Sequence, residues 1–263
     1  MFKVVSIDVG TRNLSMAILE MELPNPSEKK RTNLDTPETK ACDGFFAPWQ
    51  HCRVTHWENI DVLEDNGEDA SRNCNLITIA KWVPLIQGTL RQRLPLFEGV
   101  DTVLIESQPS FGREKIKMVS VIIHSFFSQQ YFGRVPSPPI VAFASAQLKL
   151  QVLVDPRNFY QILKKPRTYE AEPEKPPSRF VALFGKPDPD VVAANKPARQ
   201  ARKKNYQQRK RRAVELATAA IQHLQIPEML KDRFHRNRTK QDDFADALLM
   251  GLGFLQRTPP KRK

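Results

Sequence analysis

The sequence predicts an α/β fold, a mixed five-stranded sheet flanked by helices and carrying basic insertions. Two apolar runs of strand length, Phe2 to Val9 and Leu14 to Met21, are separated by a Gly-Thr-Arg-Asn turn and read as a hairpin. Three more runs, Arg53 to Ile60, Thr102 to Glu106 and Pro139 to Ala144, follow at wider intervals. The last two each follow a stretch with apolar residues at helical spacing, so the hairpin sheet is extended by parallel crossovers.

Taken in order, the remaining segments read as follows. Leu23 to Pro48 is polar and proline-bearing, an insertion between strands. Glu58 to Asp69 carries a run of acids and reads as a solvated loop. Leu76 to Leu94 places Leu76, Ile79, Ala80, Val83, Ile86 and Leu90 at helical spacing, with Pro84 as a kink. Glu114 to Phe132 is a helix apolar over most of its circumference, and Ser145 to Leu153 reads as a helix capped by its serine. Asp155 to Pro197, rich in Pro, Lys and Arg, reads as a long mobile insertion. Lys203 to Leu224 and Gln241 to Leu255 are the closing helices. The expected organisation is one domain over 1–256, with insertions at 23–50 and 155–200, and a disordered basic tail at 257–263.

Composition narrows the function classes. The 263 residues hold 41 Lys and Arg against 29 Asp and Glu, a formal net charge of +12, which suits a polyanionic partner or a solvated basic surface. Three cysteines, Cys42, Cys52 and Cys74, do not make a disulfide framework and suggest a reducing compartment. With His51 and His56 they show no CxxC or HxxxH pair for zinc. No run reaches the ~18 apolar residues of a membrane span, and the start lacks a signal-peptide pattern. The expectation is an intracellular protein of nucleus, organelle or viral replication site, not secreted, with no membrane partner.

Acids placed where acids are expensive carry the chemistry. An unpaired buried carboxylate is costly, so one at the apolar end of a core strand needs a proton, a cation or a hydrogen-bond network. Asp8 ends FKVVSID, where Val4, Ser6 and Asp8 share a face, and Glu106 ends TVLIE, where Leu104 and Glu106 share one. Both therefore stand at the strand ends where open α/β sheets place ligands. In TKQDDFADALLMGLGF, Asp242, Asp243 and Asp246 lean toward one helix face. Thr239 with Asp242 has the form of a capping box, which explains the first turn but not Asp246, a turn further in beside Leu249, Met250 and Gly253. Hard oxygen ligands suit Mg²⁺, with Mn²⁺ as a substitute. Four carboxylates meeting at one point would hold two such ions ~3.5–4 Å apart, clamping the attacking water and leaving oxygen of a phosphodiester.

The combination of SIDVGTRNLSMAIL, TVLIESQPS and KQDDFADALLMG resembles the RuvC-type Holliday-junction resolvases of the RNase H-like superfamily, in particular the poxviral and fungal mitochondrial branch. By that resemblance Asp8, Glu106, Asp243 and Asp246 match the catalytic, metal-binding acids, and Asp242 matches an extra aspartate of the branch. The resemblance implies a Mg²⁺-dependent endonuclease, a homodimer that cuts opposed strands of four-way junctions and other branched DNA, with no nucleotide cofactor. Some relatives carry an aromatic wedge three positions after the middle acid; here that position is Pro109, and Phe111 is the nearest aromatic.

Basic residues fit a DNA partner. RQARKKNYQQRKRR, Arg199 to Arg212, holds eight Lys or Arg, among them Lys203, Lys204, Arg209, Lys210, Arg211 and Arg212, which suit phosphate contacts. A nuclear-localisation signal or a solvated helix end is the alternative. Arg113, Lys115 and Lys117 follow the Glu106 loop and are expected beside the metals. On the apolar helix, Val119, Ile122, Ile123 and Phe126 can face the sheet, leaving Val121, Phe127 and Tyr131 to a two-fold dimer or to cover by the helix near Leu76.

Three other readings compete. Asp-x-Gly-Thr at Asp8 to Thr11 also opens the phosphate loop of actin-like ATPases, but the ten glycines form no adenosine-binding cluster. A non-catalytic DNA-binding protein on the same fold, and an RNase H-like or flap-type nuclease of other substrate shape, remain as alternatives.

Overall fold

The computed structural model describes residues 1–22, 51–69, 71, 73–107, 114–131, 133, 138–151 and 196–257. The chain divides into two compact units, Met1–Val154 with Ala213–Lys263, and Asp155–Arg212. In the first unit, β1 (Phe2–Val9), β2 (Asn13–Met21), β3 (Cys52–Asp61), β4 (Thr102–Ser107) and β5 (Ile140–Ser145) form one sheet in the order β3-β2-β1-β4-β5. β1, β2 and β3 run antiparallel, while β4 is parallel to β1 and β5 parallel to β4. This is the RNase H-like arrangement.

Sequence dictates the two faces. β1 is central and covered on both sides, which is why FKVVSIDV is apolar almost throughout rather than alternating. Val5, Ile7 and Val9 enter a core with Trp82, Ile86 and Leu90 of α2 (Ile79–Gln92) and Val119, Ile123, Phe126 and Phe127 of α3 (Glu114–Tyr131). Against the opposite face lies α6 (Gln241–Arg257), buried along Phe244, Ala245, Leu248, Leu249, Leu252 and Leu255. Two glycines set that approach: a Cβ on Gly251 would stand 2.5 Å from Leu19 Cδ1, and one on Gly253 would stand 2.6 Å from the Leu148 carbonyl oxygen.

Three further elements complete the described α-helices: α1 (Val62–Asp65), α4 (Lys196–Ile221) and α5 (Glu228–Arg236). Within the first unit, Phe234 of α5 stacks on Trp57 of β3 at 4.8 Å, Phe244 meets the same indole edge-on at 5.6 Å, and Trp57 Nε1 donates to the Phe244 carbonyl at 2.9 Å.

Several expectations are corrected. The acid run from Glu58 to Asp69 is not one solvated loop: Glu58 and Asp61 belong to β3, Arg93 donates to Glu58 at 2.6 Å and to Asp65 at 2.9 Å, and Asp61 caps α1 while pairing with Arg12, whereas Glu64, Glu68 and Asp69 are exposed. Burial alone would raise Glu58, but hydrogen bonds from His56 and Arg93 outweigh it and hold its pKa at about 2. α2 begins at Ile79 and buries Trp82, Ile86, Thr89 and Leu90, whereas Leu76 is 79% exposed, so the buried stripe is rotated from the expected one. Ser145 to Leu153 is no capped α-helix: a 3-10 turn, Ala146–Gln151, follows β5. The Thr239 hydroxyl donates to Asn237 Oδ1 at 3.4 Å, ahead of α6, which begins at Gln241. α5 has no counterpart among the elements expected from the sequence. The insertion 23–50 lies outside the described residues, as do 155–200 apart from the helical backbone of 196–200, and the tail beyond Arg257.

Of the three expected dimer residues, Phe127 is corrected. Phe127 is fully buried within the protomer, between Phe97 at 4.9 Å, Phe126 at 5.4 Å and Tyr131, and the Tyr131 hydroxyl donates to the Phe97 carbonyl at 2.9 Å. α3 lies between the sheet and α2, so its second apolar face is covered by its own chain. Val121 stays 54% exposed.

Packing this close has measurable consequences. Gly253→Ala should cost about 1–3 kcal/mol, because the new methyl group meets backbone rather than a yielding side chain. Phe127→Ala should cost about 3–5 kcal/mol. Urea denaturation of each variant checks both, and a neutral Gly253→Ala would contradict the contact.

Candidate active site

Strand register assembles the site. Ser6 pairs with Leu104 and Ile7 with Ile105, so the next residues along the two parallel strands, Asp8 and Glu106, emerge side by side at the C-terminal ends of β1 and β4. Side-chain alternation directs both toward the face covered by α6. There Asp246, one turn into α6, reaches them. Its neighbours Ala245, Ala247 and Leu249 are buried against the sheet, which fixes the side of the helix from which the carboxylate projects.

The three acids meet at one atom. Lys149 Nζ donates to Asp8 Oδ1 at 2.6 Å, to Glu106 Oε1 at 2.8 Å and to Asp246 Oδ2 at 3.0 Å. Lys149 comes from the 3-10 turn after β5 and is 4% exposed. Sequence reasoning misses it. The rule that singles out the acids, a charge inside an apolar stretch, applies equally to AQLKLQVL, where Lys149 lies between two leucines.

Electrostatics follow from this crowding. Burial works against the Lys149 ammonium, but attraction to Asp8, Asp246 and Glu106 outweighs it and lifts its pKa above the ordinary lysine range. Burial, and then the Asp8 charge, push Glu106 up to about 8 despite Lys149. Asp246 rises to about 6, chiefly through burial, with Asp8 and Asp242 adding to the rise and Lys149 opposing it.

The other candidates are placed as follows. Asp243 is half-buried in the first turn of α6, accepts from Asn59 Nδ2 at 3.5 Å and lies 3.9 Å from Lys240 Nζ. Asn59 also donates to Ser15 Oγ at 2.6 Å, and Ser15 pairs with Asp8 across the hairpin, so a polar row crosses the sheet end from β3 to β1. Asp242 is half-buried beside them. Lys115 donates to the Ile77 carbonyl at 3.4 Å, and Lys117 is half-buried on α3. On α4, Lys204, Arg209, Arg211 and Arg212 are exposed, and Lys210 is half-buried with its ammonium 5.0 Å from the centre of the Tyr206 ring. Lys203 lies in α4 by its backbone, while Arg113, Pro109 and Phe111 lie outside the described residues.

The donor set fits a hard divalent cation: three carboxylate oxygens within 3.0 Å of one point, with Asp242 and Asp243 on the adjoining turn. The three acids are gathered on the Lys149 ammonium, and among the described residues no group of three or more His, Cys, Asp or Glu side chains stands, as arranged here, ready to hold a metal ion. None of the described helices is long and apolar enough to cross a membrane.

A pH dependence follows. Glu106 and Asp246 hold their protons more tightly in the folded protein than in the unfolded chain. Their contribution to stability is complete below the ordinary carboxylate range and is lost as pH rises, through about 6 for Asp246 and about 8 for Glu106. Urea midpoints between about pH 5 and pH 9 should fall for the wild type in buffer without divalent cations and fall less for Glu106→Gln. Parallel profiles would contradict the assignment.

No curated protein matches the chain. Among solved structures it is similar to Thermus thermophilus RuvC (12% identity, TM-score 0.44, 98% of this chain and 97% of that one). It is also similar to the yeast mitochondrial Holliday junction resolvase Ydc2 (14%, 0.47, 96% and 78%). A third is the fowlpox virus resolvase solved with Holliday junction DNA (13%, 0.45, 98% and 100%). Residues 179–257, the stretch that ends with α6 and its three aspartates, match the family described as Poxvirus A22 protein.

Proposed function

We propose that the chain is a structure-specific endonuclease that resolves four-way DNA junctions by metal-dependent phosphodiester hydrolysis, as a homodimer built from a single RNase H-like domain with two insertions. The observation that carries this reading is the convergence of Asp8, Glu106 and Asp246 within 3.0 Å of one point at the C-terminal ends of two parallel strands. Support for the substrate comes from the motif resemblance and from the family match over 179–257.

Asp8, Glu106 and Asp246 would hold Mg²⁺ or Mn²⁺, with Asp242 and Asp243 contributing from the first turn of α6. Bound there, the ion supplies an activated water and neutralises charge on the phosphodiester oxygens. The chain supplies the rest. β1 and β4 hold two carboxylates at fixed spacing, α6 brings the third, and the Ser15–Asn59 pair tethers Asp243. The exposed basic residues of α4 attract the DNA backbone without reading bases. Lys115, Lys117 and Arg113 are proposed as further phosphate contacts.

The dimer is proposed on a revised face. Met118 and Val121 of α3 are 38% and 54% exposed, in line with His124, which stacks on Phe143 of β5 at 5.1 Å; Phe143 is itself 48% exposed. An isologous contact through this strip needs no second surface. Val121→Glu should give a folded monomer in sedimentation that nicks one strand at a time.

Three results test the reading. Asp8→Asn, Glu106→Gln and Asp246→Asn should each abolish cleavage while leaving junction binding intact. Wild-type turnover by Asp8→Asn or Asp246→Asn would contradict it. Neutralising Arg209, Lys210, Arg211 and Arg212 together should weaken junction and duplex binding alike, lowering the slope of log K against log salt by about 0.9 for each phosphate left without a basic partner. In a gel comparing four-way junction, fork, flap, duplex and RNA/DNA hybrid with Mg²⁺, the junction should be cut best. Preference for the flap or hybrid would instead identify a nuclease of other substrate shape.

A further inference from the structure

Among the described residues, Lys149 is the one Lys, Arg, Asp or Glu that is fully buried, and all three of its donor protons have an acid to go to. A buried ion normally has one partner; here one ammonium serves three carboxylates from three separate elements. Without it, the acids, Asp8 and Glu106 13% exposed and Asp246 32%, would repel each other in a site only partly screened by water. The same point is where a divalent ion bound by these acids would stand, and two cations cannot share it.

We infer that Lys149 is a built-in counter-ion that occupies the metal position, holds the three acids in place, and must withdraw its ammonium for a divalent cation to bind. The inference rests on the proposed metal centre. Backbone packing decides how the withdrawal happens. The Leu148 carbonyl oxygen lies against Gly253, 2.6 Å from where a Cβ would be, so the turn carrying Lys149 is pressed onto α6 and has no room to shift that way. The freedom lies in the four-carbon lysine stem, which can swing the charge away while its backbone stays. Metal affinity is therefore reduced by the free energy of breaking three charged hydrogen bonds, and a divalent ion succeeds where a monovalent one does not.

Calorimetric titration of Mn²⁺ into the full chain and into Lys149→Met at pH 8 provides the test. Lys149→Met should bind Mn²⁺ about tenfold more tightly or better, since the competing charge is gone. Without divalent cations it should melt below the wild type. A second readout uses the wild type alone: acetylation of Lys149, followed by mass spectrometry, should be slow without Mn²⁺ and rise several-fold at saturating Mn²⁺. Equal or weaker Mn²⁺ binding by Lys149→Met would overturn the inference and leave Lys149 beside the bound metal. If that variant fails to fold, unchanged acetylation on Mn²⁺ addition overturns it equally. Absence of Mn²⁺ binding by both proteins would remove the metal centre itself, and the inference with it.

Discussion

Burying like charges together is among the least favourable things a fold can do, and this fold does it at one point. Asp8, Glu106 and Asp246 come from the first strand, the fourth strand and the last helix, and they meet within 3.0 Å of a single nitrogen. Each could be neutralised by protonation, and two are pushed that way by burial. A cation relieves the remaining repulsion. Lys149 supplies one positive charge, and the hard oxygen donors suit a doubly charged ion in its place.

The rest of the first unit keeps those acids where they are. Parallel pairing of β1 with β4 sets the Asp8–Glu106 spacing, and the hairpin brings Ser15 and Asn59 alongside. α6 comes close because Gly251 and Gly253 have no Cβ to meet Leu19 and Leu148. The Trp57 indole, stacked on Phe234 and bonded to the Phe244 carbonyl, anchors the start of that helix a short step from Asp246. On the other face the aromatic cluster of Phe97, Phe126, Phe127 and Tyr131 closes the core between α2 and α3. That arrangement leaves only a narrow strip of α3 for a partner.

Legibility of the sequence follows the strength of the local signal. Four of the five strands can be read because each is a short apolar run, β3 being more polar, and Asp8 and Glu106 stand out as charges inside such runs. Asp246 is separable from its neighbours because helix capping does not account for it. Lys149 escapes because its stretch reads as a helix, where a lysine has a solvent side by default; in a 3-10 turn over α6 it does not. α5 escapes because EMLKDRFHR is mostly charged and buries only Leu230 and Phe234. Phe127 and Tyr131 point to a dimer in the sequence because periodicity shows that a face needs cover without showing whether the cover is α2 or a second copy.

The central claim is that the three acids form a divalent-metal centre from which Lys149 is displaced. Anomalous scattering from a crystal grown with Mn²⁺ and a junction oligonucleotide tests it most directly. The account predicts a manganese peak within coordination distance of Asp8, Glu106 and Asp246, with the Lys149 ammonium moved off that point. A site with no peak at saturating Mn²⁺, and Lys149 still bonded to all three acids, would contradict it.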